Sequence, residues 1–305
     1  IWRSVRVESS PEVAITEPFA AAQDTEGTVR LAMELRSKAG MVKGRLRGTV
    51  SPENFEGPAR SFSLPVSSTR TTRKLLLRFQ MPDPRLWWPN GMGDPNLYRM
   101  TLSFTPEGGG VADVQTFTFG LRTIEMAPLP EGKRPDKYEW TFVVNGKPMF
   151  VKGTGWCTMD PLMDFRRERY DRFLSMARDE HCQMVRAWGA GMPETDDFYD
   201  LCDRYGLMVM QEWPTAWCSH ETQPRAVLEE TVRLNTRRIR NHPSLVMWGA
   251  GNESGHPYGR AIDRMGRTSL ELDGTRPFHR GEPWGGSEHM YPTYWGRRHP
   301  DAHLT

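Results

Sequence analysis

Four short segments in the second half of the chain combine a tryptophan with side chains that form directed hydrogen bonds. Each segment follows or ends an apolar run. The segments are residues 155–160, 186–189, 211–214 and 249–253, and the tryptophan of the last one is Trp248, directly before it. An indole offers a flat apolar face, whereas carboxylate, amide and guanidinium groups donate or accept in fixed directions. A sugar ring needs both kinds of contact. The convergence of these segments therefore favours a carbohydrate site.

Each candidate side chain in these segments also has a purely structural alternative. Arg186 is interpreted as a group that orients acidic side chains, or as one half of a structural ion pair. Trp188 is a candidate platform for a sugar ring, or a core tryptophan. Trp156 and Asp160 are candidate sugar contacts, although a carboxylate at position 160 can equally cap a loop. Glu212 either binds sugar or pairs with Arg186.

Alternating strands and helices are predicted to position these segments. Apolar runs predict strands over residues 149–153, 184–188, 207–211 and 245–248, with short candidates at 277–280 and 287–291. Amphipathic stretches predict helices over residues 165–180, 196–205, 227–240 and 261–272. Asp164 and Thr195 are expected N-caps, and Gly206 is expected to end the second helix. This alternation implies a parallel sheet, doubly wound or closed as a barrel, and a barrel carries its chemistry at the strand C-termini.

The first 125 or so residues have a different pattern, typical of an all-β domain. Short strand-like runs separated by turn residues suggest a sandwich, and they cover residues 27–36, 41–50, 60–66, 73–79, 98–104 and 114–123. Proline, glycine and charged residues at 128–135 indicate a linker. Asn145 and Gly146 then predict the turn of a β-hairpin over residues 142–150.

Composition argues against several classes of function. The chain has 305 residues, with 40 Lys and Arg against 38 Asp and Glu and a net charge of +2. A dedicated nucleic-acid binder usually carries a clear basic excess, and no apolar run reaches the roughly 18 residues of a membrane span. The histidines lack metal-site spacing, so no metal is expected. The four cysteines form no Cys-x-x-Cys pair and are interpreted as buried thiols. The compartment stays open, with a periplasmic or extracellular one favoured over the cytoplasm.

Residues 241–253, Asn-His-Pro-Ser-Leu-Val-Met-Trp-Gly-Ala-Gly-Asn-Glu, carry the most specific pattern in the chain. They resemble the acid/base signature of glycoside hydrolase family 2. Other segments resemble that family in the same order along the chain. Residues 86–91 and 119–122 resemble segments of its immunoglobulin-like domain, and residues 145–148 and 152–153 resemble the start of its barrel. Residues 185–191 and 197–203 are similar to the β-mannosidase and exo-β-glucosaminidase branch. The resemblance covers nearly the whole chain.

The resemblance implies an all-β immunoglobulin-like sandwich over residues 1–127, followed by an α/β (β/α)8 TIM barrel over 136–305 that is incomplete at about six strands. It implies a retaining exo-β-glycosidase that hydrolyses terminal β-linked sugars, most like a β-mannosidase, with a glycoside substrate and no cofactor. Glu253 would be the acid/base, and Asn252 would hydrogen-bond the sugar 2-hydroxyl. Tyr291 lies where relatives place a tyrosine near the nucleophile.

The chain also departs from the family pattern. We expect the N-terminal jelly-roll domain and the C-terminal barrel segments to be missing, and with them the nucleophilic glutamate of strand seven, so that this chain alone is inactive. Glu282 and Glu288 are weaker in-chain candidates for the nucleophile, because they lack its flanking pattern. The alternatives are an exo-β-glucosaminidase or β-galactosidase-type hydrolase and, outside enzymes, a non-catalytic module that binds carbohydrate or a partner chain.

Overall fold

The structure is a computed structural model that describes residues 5, 7, 9–38, 40–128, 140–253 and 259–283. It begins with a sandwich of two antiparallel sheets. One sheet has the order β1-β2-β5 and the other β4-β3-β6-β7. The strands are β1 Val13–Ala22, β2 Thr28–Ser37, β3 Val42–Pro52, β4 Arg60–Ser68, β5 Thr72–Gln80, β6 Tyr98–Pro106 and β7 Asp113–Phe119.

Alternation along the strands builds the core between the two sheets. In β2 the side chains of Val29, Leu31, Met33 and Leu35 are buried, and those between them are more exposed. They pack in one cluster with residues of the opposite sheet such as Leu46 and Phe104. A period of two is the spacing of a strand with one buried face. The predicted strands of this domain are thus confirmed.

The first strand of the sandwich, β1, was not predicted. Its sequence VAITEPFAAA contains a proline, and its pairing with β2 shifts between Thr16 and Phe19. Glu17 inside this irregularity has a positive φ of 56°. A bulge of this kind interrupts the period-two pattern from which a strand is recognised in a sequence.

A small three-stranded sheet joins the sandwich to the rest of the chain. Its order is β10-β9-β8, with β8 Ile124–Pro128, β9 Trp140–Val144 and β10 Lys147–Met149. The predicted hairpin is confirmed, since Asn145 and Gly146 form its turn with φ of 49° and 76°. Positive φ at both central residues is the requirement of a type I′ turn.

The remaining elements form the parallel α/β part of a barrel. They are β11 Gly153–Trp156, α1 Arg167–Asp179, β12 Met184–Ala187, α2 Asp196–Tyr205, β13 Met208–Glu212, α3 Arg225–Ile239, β14 Leu245–Gly249, α4 Arg260–Leu272 and β15 Phe278–His279. The strands pair in parallel and in chain order, β11-β12-β13-β14-β15. A doubly wound sheet reverses its strand order at a switch point, whereas a barrel advances in one direction. The predicted fold class, a sandwich followed by a partial barrel, is confirmed.

The two faces of this sheet have different partners. Val185, Ala187, Val209 and Trp248 pack against the helices. Met208, Met210 and Met247 face the other way and pack with Phe142 and Val144 of the hairpin. The hairpin therefore packs against the inner face of the sheet.

Several predicted boundaries move in the structure. The first parallel strand is Gly153–Trp156 rather than 149–153, because Met149 belongs to the hairpin. Helix α1 starts at Arg167, and Asp164 makes an ion pair with Arg166 at 2.8 Å instead of capping the helix. Thr195 precedes α2 as expected but makes no side-chain capping bond. The candidate 277–280 coincides with β15, and 287–291 lies outside the described residues.

Candidate active site

The carboxyl ends of β12, β13 and β14 bring together Arg186, Glu212 and Asn252. Arg186 and Glu212 lie on the inner face of the sheet, since the adjacent residues Val185, Ala187 and Trp213 pack against the helices. Asn252 follows β14 by three residues. The three residues are far apart in sequence, and the parallel pairing of the strands makes them neighbours.

Glu212 is the centre of this cluster. The residue is 1% exposed. Oε1 accepts a hydrogen bond from Arg186 Nε at 2.9 Å and forms an ion pair with Nη2 at 2.8 Å, and Oε2 accepts a hydrogen bond from the Gly189 backbone N–H at 2.7 Å. Burial raises the pKa of Glu212, against the opposing effects of Arg186 and the Gly189 amide, and the nearby Glu282 adds to the rise.

Arg186 also fixes the orientation of Asn252. Its Nη2 donates to Asn252 Oδ1 at 2.7 Å, and Asn252 is only 4% exposed. A guanidinium has donors and no acceptor, so the amide oxygen must face Arg186. The Nδ2 amino group therefore points away from the arginine, as a donor with a defined direction.

Glu253 is held by its backbone between two loops. The backbone N–H of Asn252 donates to Thr215 O at 3.0 Å, and that of Glu253 donates to Glu282 O at 2.6 Å. Glu253 itself has a positive φ of 49°. A left-handed conformation is unfavourable for glutamate and is kept only where the surroundings impose it. The hydrogen bonds on both sides of β14 impose it here and set the direction of the side chain.

Trp217 contacts Glu253 directly, and Trp188 packs against Trp217. Trp217 donates its Nε1–H to Glu253 Oε2 at 2.7 Å. The rings of Trp188 and Trp217 meet edge to face, with centroids 5.7 Å apart and planes at 82°. Trp188 was a predicted site residue, but Trp217 was missed. It lies beyond the predicted segment 211–214, and the tight turn that carries it back to Glu253 has no recognisable sequence signature.

Trp156 and Asp160 do not join this cluster. Trp156 lies on the helix side of β11, where it stacks on Tyr170 with centroids 6.2 Å apart and donates to Glu194 Oε1 at 3.2 Å. Asp160 forms an ion pair with Arg169 at 2.7 Å, and its Oδ1 accepts from the Leu162 N–H at 2.7 Å. Of the two interpretations made for Asp160, the structure shows the loop cap. The strand alternation that turns Arg186 inward turns Trp156 outward.

The fifth strand leads to Glu282, whose Oε2 lies 3.5 Å from His279 Nε2. The backbone of Glu282 is bonded to the segment that carries Glu253. Its N–H donates to Gly251 O, and its carbonyl oxygen accepts from the Glu253 N–H. Tyr291 and Glu288 lie outside the described residues. Within the described ranges, no three His, Cys, Asp or Glu side chains are grouped so as to hold a metal ion. No helix in the same ranges is both long and apolar enough to cross a membrane.

Comparison with protein families finds two models of one family. The model described as "Glycosyl hydrolases family 2" matches residues 13–122, and the one described as "Glycosyl hydrolases family 2, TIM barrel domain" matches residues 139–289. Together they cover the sandwich and the described part of the barrel.

Curated relatives and solved structures agree with these models. β-Mannosidase B of Aspergillus fumigatus is 35% identical over 262 residues, which are 83% of this chain and 30% of the relative. Mannosylglycoprotein endo-β-mannosidase of Lilium longiflorum is 33% identical over 239 residues, 67% of this chain and 24% of the relative. The β-D-mannosidase structure from Dictyoglomus thermophilum superposes with a TM-score of 0.83 at 24% identity and covers 96% of this chain and 39% of that one. The chain thus spans 24–30% of the length of these two curated relatives.

Proposed function

The chain belongs to glycoside hydrolase family 2, and from this premise we propose that it carries the acid/base half of a retaining β-glycosidase. In such an enzyme two carboxyl groups flank the scissile bond, about 5–5.5 Å apart. Glu253 is the proposed acid/base: it protonates the leaving oxygen and later removes a proton from the attacking water. The second carboxylate, which attacks the anomeric carbon, is not assigned to a residue of this chain.

The observation that carries this proposal is the chain of contacts from Glu212 through Arg186 to Asn252, directly before Glu253. Asn252 Oδ1 accepts from Arg186 Nη2 at 2.7 Å, so its amino group is pre-oriented. We propose that this group donates to the sugar 2-hydroxyl, a hydrogen bond that strengthens as positive charge develops on the sugar. Trp188, whose ring meets that of Trp217, is the proposed platform for the ring of the terminal sugar.

A terminal β-mannoside is the proposed substrate. Relatives that are 30% or more identical are named β-mannosidases, which supports mannose over glucosamine or galactose. A second candidate is cleavage within a chain, because the lily relative is named an endo-β-mannosidase. Analysis of the first products from a β-mannan oligosaccharide distinguishes the two, since an exo enzyme releases mannose only.

The test is Glu253→Gln in the full-length gene product. Glutamine keeps the shape but cannot transfer the proton, so we expect kcat/KM on β-1,4-mannobiose to fall by about 10²–10⁴-fold. Dinitrophenyl β-mannoside, whose leaving group needs little protonation, should be much less affected in its first step. The control is Glu230→Gln, an exposed glutamate of α3 that should leave both activities unchanged. Full activity of Glu253→Gln on mannobiose would show the assignment to be wrong.

A further inference from the structure

We propose that Trp217 is a positioning residue for the acid/base, and that its exposed face binds the leaving group of the substrate. This inference rests on the proposed role of Glu253. In this proposal the Trp217 N–H determines which carboxyl oxygen of Glu253 carries the proton. A sugar or aromatic ring of the leaving group packs against the indole.

The first step in the argument is the direction of one hydrogen bond. Trp217 Nε1 lies 2.7 Å from Glu253 Oε2. An indole N–H can only donate, so Oε2 must accept in both protonation states of the carboxyl group. In a carboxylic acid the carbonyl oxygen is a stronger acceptor than the hydroxyl oxygen, so the indole favours the tautomer with Oε2 as the carbonyl oxygen and the proton on Oε1. A general acid that delivers its proton from one defined oxygen is already oriented for transfer.

The second step is the rigidity of the loop that carries the ring. The backbone N–H of Trp217 donates to Asn252 O at 2.9 Å, and Ala216 forms a bridge with Asn252. Trp217 and Cys218 both have left-handed φ angles, 48° and 64°. Consecutive non-glycine residues in this region are strained, and such strain clusters at functional sites. Ser219 holds the turn by accepting from the Ala216 N–H at 3.0 Å.

The third step is the exposure of the ring. Trp217 is 62% exposed although its N–H is engaged. Its neighbour Trp188 meets it at 82°, so the two indoles form a corner beside the Glu253 carboxylate. The acid must touch the leaving oxygen, and the group attached to that oxygen then lies within reach of a ring bonded to the same carboxylate. A rigid, exposed aromatic face suits a sugar ring or an aromatic aglycone.

The experiment compares Trp217→Phe and Trp217→Ala in the full-length gene product. Phenylalanine keeps a ring and removes the N–H donor. We expect kcat/KM on β-1,4-mannobiose to fall about tenfold, and the alkaline limb of its pH profile to move up by roughly one pH unit, because the ionised carboxylate loses a donor. Alanine should in addition raise KM for mannobiose. Hydrolysis of dinitrophenyl β-mannoside should change little with phenylalanine.

A matched control and the Glu253 variant separate the possible outcomes. The control is Trp88→Phe. The Lys147 ammonium lies over the ring of Trp88, 4.9 Å from its centroid, and this substitution should leave the pH profile unchanged. If Glu253→Gln retains activity on mannobiose, the proposed function itself fails. If Glu253→Gln is inactive but Trp217→Phe has the wild-type alkaline limb and the wild-type ratio of the two activities, the role of Trp217 is overturned. Equal losses on both substrates would overturn it as well.

Discussion

Glu212 is a buried carboxylate whose two oxygens are both held by the protein. From the sequence, sugar binding and pairing with Arg186 were equally good interpretations. In the structure Arg186 engages Oε1, and the Gly189 amide engages Oε2. We therefore interpret Glu212 as a group that positions Arg186 and, through it, Asn252. Breaking a buried pair of this kind by removing one partner typically costs about 3–5 kcal/mol.

The Glu212→Gln variant should show a pH-dependent loss of stability. The folded-state pKa of Glu212 is raised above its usual value of 4.5 by burial. Its contribution to stability is then fully present below the unfolded pKa and is lost as pH rises through the folded one. We expect the difference in free energy of unfolding between wild type and variant to be largest near pH 4 and to shrink toward pH 7. Urea titrations at four pH values measure it, and a difference that grows with pH would contradict the prediction.

At the scale of single elements, the ends of the helices show how the barrel meets the sandwich. Gly206 follows α2 with a φ of 69°, as expected from its position after the helix. A Cβ atom on it would lie 2.8 Å from Asn90 N and 3.0 Å from Trp88 O, both backbone atoms of the sandwich. Gly274 follows α4 with almost the same φ of 70°. A Cβ atom on Gly274 would have Leu270 O as its nearest neighbour, at 3.4 Å.

This pair of glycines provides an internal comparison. Gly274→Ala should cost only the left-handed backbone penalty, about 1–2 kcal/mol. Gly206→Ala should cost about 1–3 kcal/mol more, because the added methyl group forces two backbone segments apart. Chemical denaturation of both variants measures the difference. Equal losses would mean that α2 and the loop at Asn90 separate without cost.

On the scale of the whole molecule, buried polar contacts join the sandwich to the barrel. Arg122 is 6% exposed, and its guanidinium donates to Pro243 O at 2.7 Å and Leu245 O at 2.6 Å. Burial, with Arg276 alongside, lowers the pKa of Arg122 to about 9, so the group is still charged at neutral pH. Trp87 Nε1 donates to Asp203 O at 2.8 Å. The sandwich thus holds the start of β14, the strand that leads to Asn252 and Glu253.

Arg122→Met should weaken this connection. The variant removes the Arg122 donor to Pro243 O and one of two arginine donors to Leu245 O, the other being Arg276, and should cost about 2 kcal/mol. Hydrogen exchange should become faster at the amides of β14 and remain unchanged in β3. The control is Arg45→Met, since Arg45 is exposed on β3 and its loss should stay within about 0.5 kcal/mol. Identical behaviour of the two variants would show that Arg122 does not couple the domains.

The sequence by itself determined the family, the order of the elements and the segment that ends in Asn252 and Glu253. These depend on local patterns, namely apolar periodicity, turn residues and a contiguous motif. The sandwich strands after β1, the hairpin at Asn145 and the end of α2 at Gly206 follow from such patterns. Strand β1 does not, because its bulge removes the alternation.

Only the tertiary structure decided which side chains meet. Trp156 and Arg186 were both predicted site residues. The face on which a side chain lies alternates from one residue to the next along a strand, so it depends on where the strand is paired. The first parallel strand begins four residues later than its pattern suggested. Trp217 reaches Glu253 across 36 residues, and Arg186 reaches Asn252 across 66. Contacts of this range are set by strand pairing and loop paths. Those arise from packing of the whole chain and leave no local period in the sequence.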